Sequence, residues 1–305
     1  MADFNFVGPS YTAASIYQDA QECINWYPEV DPIKITPSQI NPSGDRGVTA
    51  LYPTPGLLPK VQLDNIAQVR CLWPLPGANQ LLAVAGSTLY VINSQFAYTN
   101  VGTLNTAAGV VSIVDNGISA YIVDGINRYT YNISTQAFAV VSLTDGAFTG
   151  GDRVDIVDGF IVYNSPNTNQ WGCTNVLSTV SSPLNFGAKG GSSDNIVSLI
   201  ADHLEVYLIG ERTTEVWANV GSFPFPFQRV PGTTSQHGCA AKNSVVRLGE
   251  SIAFLSKDTR GRGIVVQSNG YFFQRISMHA LEADISNGII TDADSGRAGA
   301  ARLVR

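Results

Sequence analysis

At 305 residues the chain can bury a large core, yet only 14% of it is charged while Gly fills 29 positions. That is a composition of strands and turns, and it excludes a helical protein and a disordered one. Eighteen basic against twenty-four acidic side chains leave a net charge of −6. No basic stripe is present of the kind that neutralises a nucleic-acid backbone.

The opening MADFNFVGPSYTAAS lacks the basic region and apolar core of a secretory signal. No window approaches the roughly 18 consecutive apolar residues of a membrane span. Residues 1–60 are Pro-rich (NWYPEVDPIKITPSQINPSG, YPTPGLLP) and read as an extended strap laid on other structure, since Pro blocks helix and central strand alike. Within CINWYPE, Cys23 has no neighbouring base and reads as a small buried hydrophobe. Asn25, Trp26 and Tyr27 read as anchors pinning the strap to the rest of the protein, and Pro28 as the residue that keeps it from becoming a regular strand.

From residue 61 to 285 short apolar or alternating runs dominate, separated by Gly, Asn and Asp turns such as DNG and DG. One unit recurs: an apolar strand, a turn, a stronger apolar strand, a Gly-containing turn and an aromatic-bearing strand. Copies begin at Leu72, Ser112, Asp155, Ser198 and Val246, a spacing of roughly 40 to 48 residues that matches β-propeller blades. A β-sandwich also gives many short strands but not one unit at one period. The expected fold is therefore an all-β propeller with about five recognisable blades, an incomplete ring included. SMHALEADIS (277–286) reads as a short helix with Ser277 as its cap and Met278, Leu281 and Ile285 on its apolar face. Residues 286–305 lose the strand pattern and read as a frayed end, or as a chain that stops before its propeller is complete.

Nucleophilic chemistry has little support. Cys23, Cys71, Cys173 and Cys239 form no C-x-x-C pair and are expected reduced. His203, His237 and His279 are isolated, and the Gly of QHGC (236–239) favours a turn over a Cys–His pair. GAKGGSSDN (187–195) departs from the P-loop pattern and reads as a flexible surface loop. Paired carboxylates are the strongest enzymatic option, from Asp115, Asp124, Asp145, Asp152, Asp155 and Asp158, but most occupy turn positions where Asp bonds to backbone. Trp26, Trp73, Trp171, Trp217 and GSFPFPFQ (221–228) are either surface contacts or blade-packing core. Catalytic, cofactor and metal residues are expected to number none.

Several stretches resemble the packaged-DNA stabilisation proteins, or tail hubs, of short-tailed bacteriophages. They are GPSYTAASIYQDAQECINWYPE (8–29), PTPGL (53–57), NSPNTNQW (164–171) and SSPLNFGAKGGSSDNIVSL (181–199). LIGERTTEVWANVGSFPFPFQRV (208–230), HGCAAKNSVVRLGESIAFLSKDTRGRGIVV (237–266) and GYFFQRISMHALEADI (270–285) follow in order. The signature residues carried by these motifs are Asn25, Trp26, Tyr27, Thr168, Gln170, Trp171, Thr214, Glu215, Trp217, Gly238 and Ser277. The resemblance implies a non-enzymatic virion protein, folded in the host cytoplasm and located in the phage tail. Its implied partners are copies of itself in a hexameric ring, the portal and adaptor, the tail needle or plug, and the tailspike. Packaged DNA would pass nearby without sequence-specific binding, and no membrane anchor is implied. The family continues with further strands beyond QRIS, whereas the resemblance fades after about Ile285. The rival readings are a carbohydrate-binding or glycoside-hydrolysing propeller and a generic interaction propeller.

Overall fold

The computed structural model describes residues 25–30, 49–64 and 67–288. Cys23 and most of the Pro-rich lead-in lie outside the described residues, as does the chain beyond 288. Strands β1 (Trp26–Val30) and β2 (Thr49–Pro53) form an antiparallel ribbon in which Pro28 stands opposite Leu51. The expectation that Pro28 prevents a regular strand is thus corrected. Each strand of a two-stranded ribbon has an outward edge, where a missing N–H removes no ladder bond.

Five four-stranded antiparallel meanders follow, one per repeat. The first comprises β3 (Val69–Leu75), β4 (Gln80–Ala85), β5 (Thr88–Asn93) and β6 (Tyr98–Thr103). The second comprises β7 (Ser112–Asp115), β8 (Ser119–Val123), β9 (Arg128–Asn132) and β10 (Phe138–Val140). The third holds β11 (Val154–Val157), β12 (Phe160–Asn164), β13 (Gln170–Cys173) and β14 (Phe186–Ala188). The fourth holds β15 (Ile196–Asp202), β16 (Glu205–Gly210), β17 (Thr214–Asn219) and β18 (Phe227–Arg229). The fifth is β19 (Val246–Leu248), β20 (Ser251–Lys257), β21 (Gly263–Asn269) and β22 (Phe272–Arg275), with helix α1 (His279–Gly288) packed on β21.

The sheets are propeller blades. First strands adjoin, β3 on β7, β7 on β11 and β11 on β15, so they line the axis, while fourth strands lie outermost. Among the described residues the sheets do not close into a full ring. Middle strands are buried on both faces and read as unbroken apolar runs for that reason. Along EVYLIG, Val206 and Leu208 pack toward the third blade, and Tyr207 and Ile209 toward the fifth. Each such fully buried side chain stabilises the fold by about 1.5–3 kcal/mol. The outer face of the first blade, from Ala83, Ala85 and Tyr90, is covered in part by Val61 and Leu63 of the lead-in.

The expected unit had three strands, and each blade has a fourth. In the second and third blades it is a three-residue strand with exposed positions. Helix α1 begins at His279, and Ser277 does not cap it. The Ser277 hydroxyl accepts the Val265 N–H at 3.0 Å and donates to Glu282 Oε1 at 2.6 Å, tying strand to helix. Of the expected apolar face, Ile285 is buried, Leu281 is half-buried and Met278 is exposed.

Candidate functional site

Polar chemistry concentrates where one blade meets the next. Between the first two blades, Arg70 at the start of β3 donates to the carbonyls of Gly86 (2.9 Å), Thr106 (2.7 Å), Ala108 (2.8 Å) and Gly109 (2.7 Å). Asp124 of the second blade accepts from Thr106 Oγ1 and the Tyr129 hydroxyl, both at 2.7 Å. Between the second and third blades, the buried Arg128 donates to the hydroxyls of Tyr121 (3.0 Å) and Tyr163 (2.8 Å) and to the Asp145 carbonyl. Its guanidinium also stands 4.7 Å from the centre of the Tyr163 ring.

Between the third and fourth blades, Lys189 follows β14 and is fully buried. It forms an ion pair with Asp194 and donates to Thr213 Oγ1 at 2.6 Å. Within the stretch 187–195, expected as a flexible surface loop, Lys189 and Asp194 are buried in the junction, while Ala188, Gly190, Gly191, Ser193 and Asn195 are exposed as a surface loop would be. A buried ammonium is tolerated only when its charge is compensated and its hydrogen bonds are made. Asp194 also accepts the N–H groups of Arg212 (2.9 Å) and Thr213 (3.0 Å). Burial alone would raise its pKa, but Lys189 and these N–H donors outweigh burial and hold the carboxyl well below its ordinary value. Glu282 is also held low: burial is opposed and outweighed by Ser277 and Arg275. Both groups contribute stability that is fully present above their ordinary values of 3.8 and 4.5 and is lost as pH falls through the lower folded values. Stability from these junctions should stay level from neutrality to about pH 5 and fall below about pH 4. Denaturant midpoints taken across that range check it, and Asp194→Asn should flatten the acid limb.

The signature residues lie at the later junctions. Thr168 O accepts the Ile196 N–H at 2.8 Å, joining the β12–β13 turn to the fourth blade. Gln170 opens β13, pairing with Ala188, and Trp171 next to it is fully buried. Trp171 packs on Trp217 and Phe225, edge to face, and on Phe227 at a tilt. These rings are blade-packing core, whereas Phe223 is exposed. Glu215 is fully buried and accepts the Gly191 N–H at 2.6 Å and Trp217 Nε1 at 3.3 Å. Thr214 Oγ1 donates to the His237 carbonyl at 2.7 Å, and the Cys239 N–H to Gly210 O at 2.8 Å. Gly238 between them lies against the Glu211 and Arg212 backbone, leaving no room for a Cβ. Gly238→Ala should cost about 1–3 kcal/mol or more because backbone cannot yield. Gly190→Ala, whose Cβ would meet nothing nearer than 3.8 Å, should stay within about 0.5 kcal/mol. Chemical denaturation of the two variants checks the contrast. Asn25, Trp26 and Tyr27 are exposed on the β1–β2 ribbon, where Tyr27 stacks on Tyr52 with centroids 6.1 Å apart.

The carboxylates considered for catalysis are each engaged with a structural partner. Asp115 accepts Trp73 Nε1 (2.7 Å), Asp145 accepts the Ser181 N–H (2.9 Å), and Asp158 accepts Asn219 Nδ2 (3.1 Å). Asp152 pairs with Lys242 at 3.3 Å. Asp155 receives Arg247 at 2.6 Å from the fifth blade and the Ala201 N–H at 2.8 Å from the fourth, so this contact spans the axis. Arg153, two residues before Asp155, donates to the Val245 carbonyl, and burial lowers its pKa. Side chains of the third and fifth blades thus meet beside the innermost strands. Cys71, Cys173 and Cys239 are free thiols, and burial pushes Cys71 up to about 11 and Cys173 up to about 12, far from thiolate reactivity at neutral pH. Among the described residues no three His, Cys, Asp or Glu gather as a metal-binding group, and no helix is long and apolar enough to cross a membrane. A polar cleft of about 820 Å³ lies at the β16–β17 and β20–β21 turns, its lining including Asp152, Arg212, Gly238, Lys242 and Lys257. Sequence reasoning missed Arg70, Arg128, Lys189 and Asp194. For Arg70 and Arg128 the signal was a lone cation at the start of an apolar or aromatic strand run, as in VRCLWPL; Lys189 and Asp194, in a small-polar stretch, carried no such signal.

The family model described as bacteriophage P22 Gp10, β-propeller, matches residues 76–293. The match begins just after β3, covers the rest of the first blade, the other four blades and helix α1, and runs past Ile285, while the opening motif at 8–29 lies outside it. No curated protein matches. Among solved structures, the extracellular domain of a one-component system from B. thetaiotaomicron is similar at 11% identity and a TM-score of 0.50, covering 72% of this chain and 29% of its own length. A protein of unknown function from Desulfotomaculum acetoxidans is similar at 11% identity and a TM-score of 0.50, covering 75% of each chain. At such identities the likeness is one of fold alone.

Proposed function

The chain belongs to the phage-stabilisation β-propeller family of bacteriophage P22 Gp10, and from that premise we propose that it is a non-enzymatic tail hub. It would assemble as a ring below the portal and adaptor, narrow the exit channel so that packaged DNA is retained, and carry the tail needle and tailspikes. The family match carries this reading, and three features of the molecule support it.

First, the polar groups that an enzyme would keep in a cleft are committed to holding blades together. Lys189–Asp194 and Arg128–Asp145 join neighbouring blades, and Arg275–Glu282 ties helix α1 to its own blade. Second, the Asp155–Arg247 ion pair bridges the innermost strands of the third and fifth blades, across the propeller's middle. A DNA conduit would therefore run between subunits, which requires a ring of copies. Third, an acidic protein of net charge −6 adds no strong attraction for a passing polyanion.

Heads packaged in the absence of this protein test the reading. They should lose their DNA to nuclease, and purified protein added before the nuclease should protect it. Equal nuclease sensitivity with and without the protein would overturn the proposal.

A further inference from the structure

An antiparallel meander sorts its turns by end. In every blade the first-to-second and third-to-fourth turns fall at one end, and the second-to-third turns and blade connections at the other. Cross-blade bonds align these ends around the molecule. Asn219 at the β17–β18 turn donates to Asp158 at the β11–β12 turn, and Tyr271 at the β21–β22 turn donates to Glu205 at the start of β16 (2.7 Å).

The first of these ends is apolar at its tips. Phe96, Ile118, Leu177, Leu204, Val220 and Phe223 stand there from five different turns, from 51% exposed at Phe96 to 94% at Phe223. Three of them hold left-handed backbone: Phe96 at φ 62°, Leu177 at φ 53° and Leu204 at φ 64°. Bulky side chains rarely adopt this region, and each instance costs about 1–3 kcal/mol that Asn or Gly would largely avoid. Strain held at an exposed apolar tip brings little burial within this molecule. It points to contact outside it.

The same end is uniformly acidic. Asp115, Asp158, Asp202, Glu205 and Glu250 occupy it, and its described turns carry no Lys or Arg. Neutral donors satisfy Asp115 (Trp73), Asp158 (Asn219) and Glu205 (Tyr271), which leaves their charges uncompensated. Among the described residues Asp202 forms its ion-pair contact with the exposed imidazole of His203, at 3.0 Å. Apart from Arg247 on the axis, every Lys and Arg between 67 and 288 lies toward the opposite end. There the carboxylates meet cations, as in Asp152–Lys242 and Glu282–Arg275. One contact shows what the acidic end accepts: Lys60 of the lead-in stands over the Phe96 ring, 5.8 Å from its centre.

We propose that this end is the docking face for a protein partner that presents Lys or Arg beside apolar side chains. A second copy offering the same face would set carboxylate against carboxylate and is disfavoured. The inference rests on the connector reading for the existence of a partner, but not for the face or its chemistry.

The probe is a fluorescein-labelled 12-residue peptide of alternating Lys and Phe, with Glu/Phe and Lys/Ser peptides as comparisons. The variant Leu177→Asn/Leu204→Asn/Phe223→Ser should fold, because Asn accepts left-handed φ, and its unfolding midpoint should match or exceed wild type. Anisotropy should show the Lys/Phe peptide binding wild type at least tenfold more tightly than the triple variant, and at least tenfold more tightly than either comparison peptide binds. Hydrogen exchange should place the protection at residues 175–184, 203–204 and 220–224. Equal binding by the triple variant, equal binding of the Glu/Phe or Lys/Ser peptide, or protection centred on 257–262 would each overturn the proposal. Self-association of wild type that the triple variant abolishes would assign the face to a second copy and overturn it too. A protein that protects packaged DNA yet ignores the peptide sinks only this inference. One that binds the peptide at this face yet leaves DNA unprotected sinks only the connector reading.

Discussion

Lys189→Met should destabilise the protein by about 3–5 kcal/mol, read from chemical denaturation. The methionine fits the stem of the lysine but leaves Asp194 ionised in a buried site without its cation. Arg212 and Thr213 still donate to that carboxylate, so part of its solvation survives. The double variant Lys189→Met/Asp194→Asn should recover a large share of the loss, because no unpaired charge is then buried. Near-additive costs would mean that the two residues act separately, contrary to the geometry. The joint couples the third and fourth blades, so loss of Lys189 should also raise hydrogen exchange in β14 and β15 ahead of the other blades.

Trp171→Ala should cost about 3–5 kcal/mol by the same measurement. The indole is fully enclosed, with ring centres of Phe225 at 5.0 Å, Phe227 at 5.2 Å and Trp217 at 5.6 Å. Its removal opens a cavity among side chains from two blades that cannot collapse together. Trp171→Phe should cost less than half as much. It keeps an edge-to-face ring and removes Nε1, which is buried without a hydrogen-bond partner. A Phe variant as unstable as the Ala variant would show that indole volume, not aromatic packing, sets the stability of this junction.

The blades were legible because their middle strands are buried on both faces. LLAVAG, AYIVDG and VYLIG announce themselves as apolar runs bounded by turns, and their common period names the architecture. The outer strands were not legible. Phe138–Val140 and Phe186–Ala188 are three residues long and half solvated, and so carry neither an apolar run nor a strict alternation. GAKGGSSDN misled for a different reason. Its small polar residues have the composition of a solvent loop, and what buries Lys189 is Thr213, 24 residues further on. Pro28 was read against a central strand, when the ribbon it occupies has only edges. Ser277 was read as a helix cap from local spacing, while its partners are Glu282 and a strand residue, Val265.

The signature residues were recognisable from their motifs, but their common role was not. Thr168, Trp171, Thr214, Glu215 and Gly238 are far apart in the chain and meet only where blades meet. The sorting of charge between the two ends had a signal that becomes readable once the strand order is known. Lys and Arg end or follow second and fourth strands, as at Arg212, Arg229, Lys257 and Arg275, while first-to-second turns carry Asp158, His203 and Glu250.

The proposed connector is built from repeated copies of this propeller. Sedimentation of the purified protein with a portal–adaptor complex tests it most directly. The account predicts a discrete heavier species containing six copies of the chain, with no intermediate stoichiometries at saturation. A protein that remains monomeric beside the adaptor while binding oligosaccharide would contradict it.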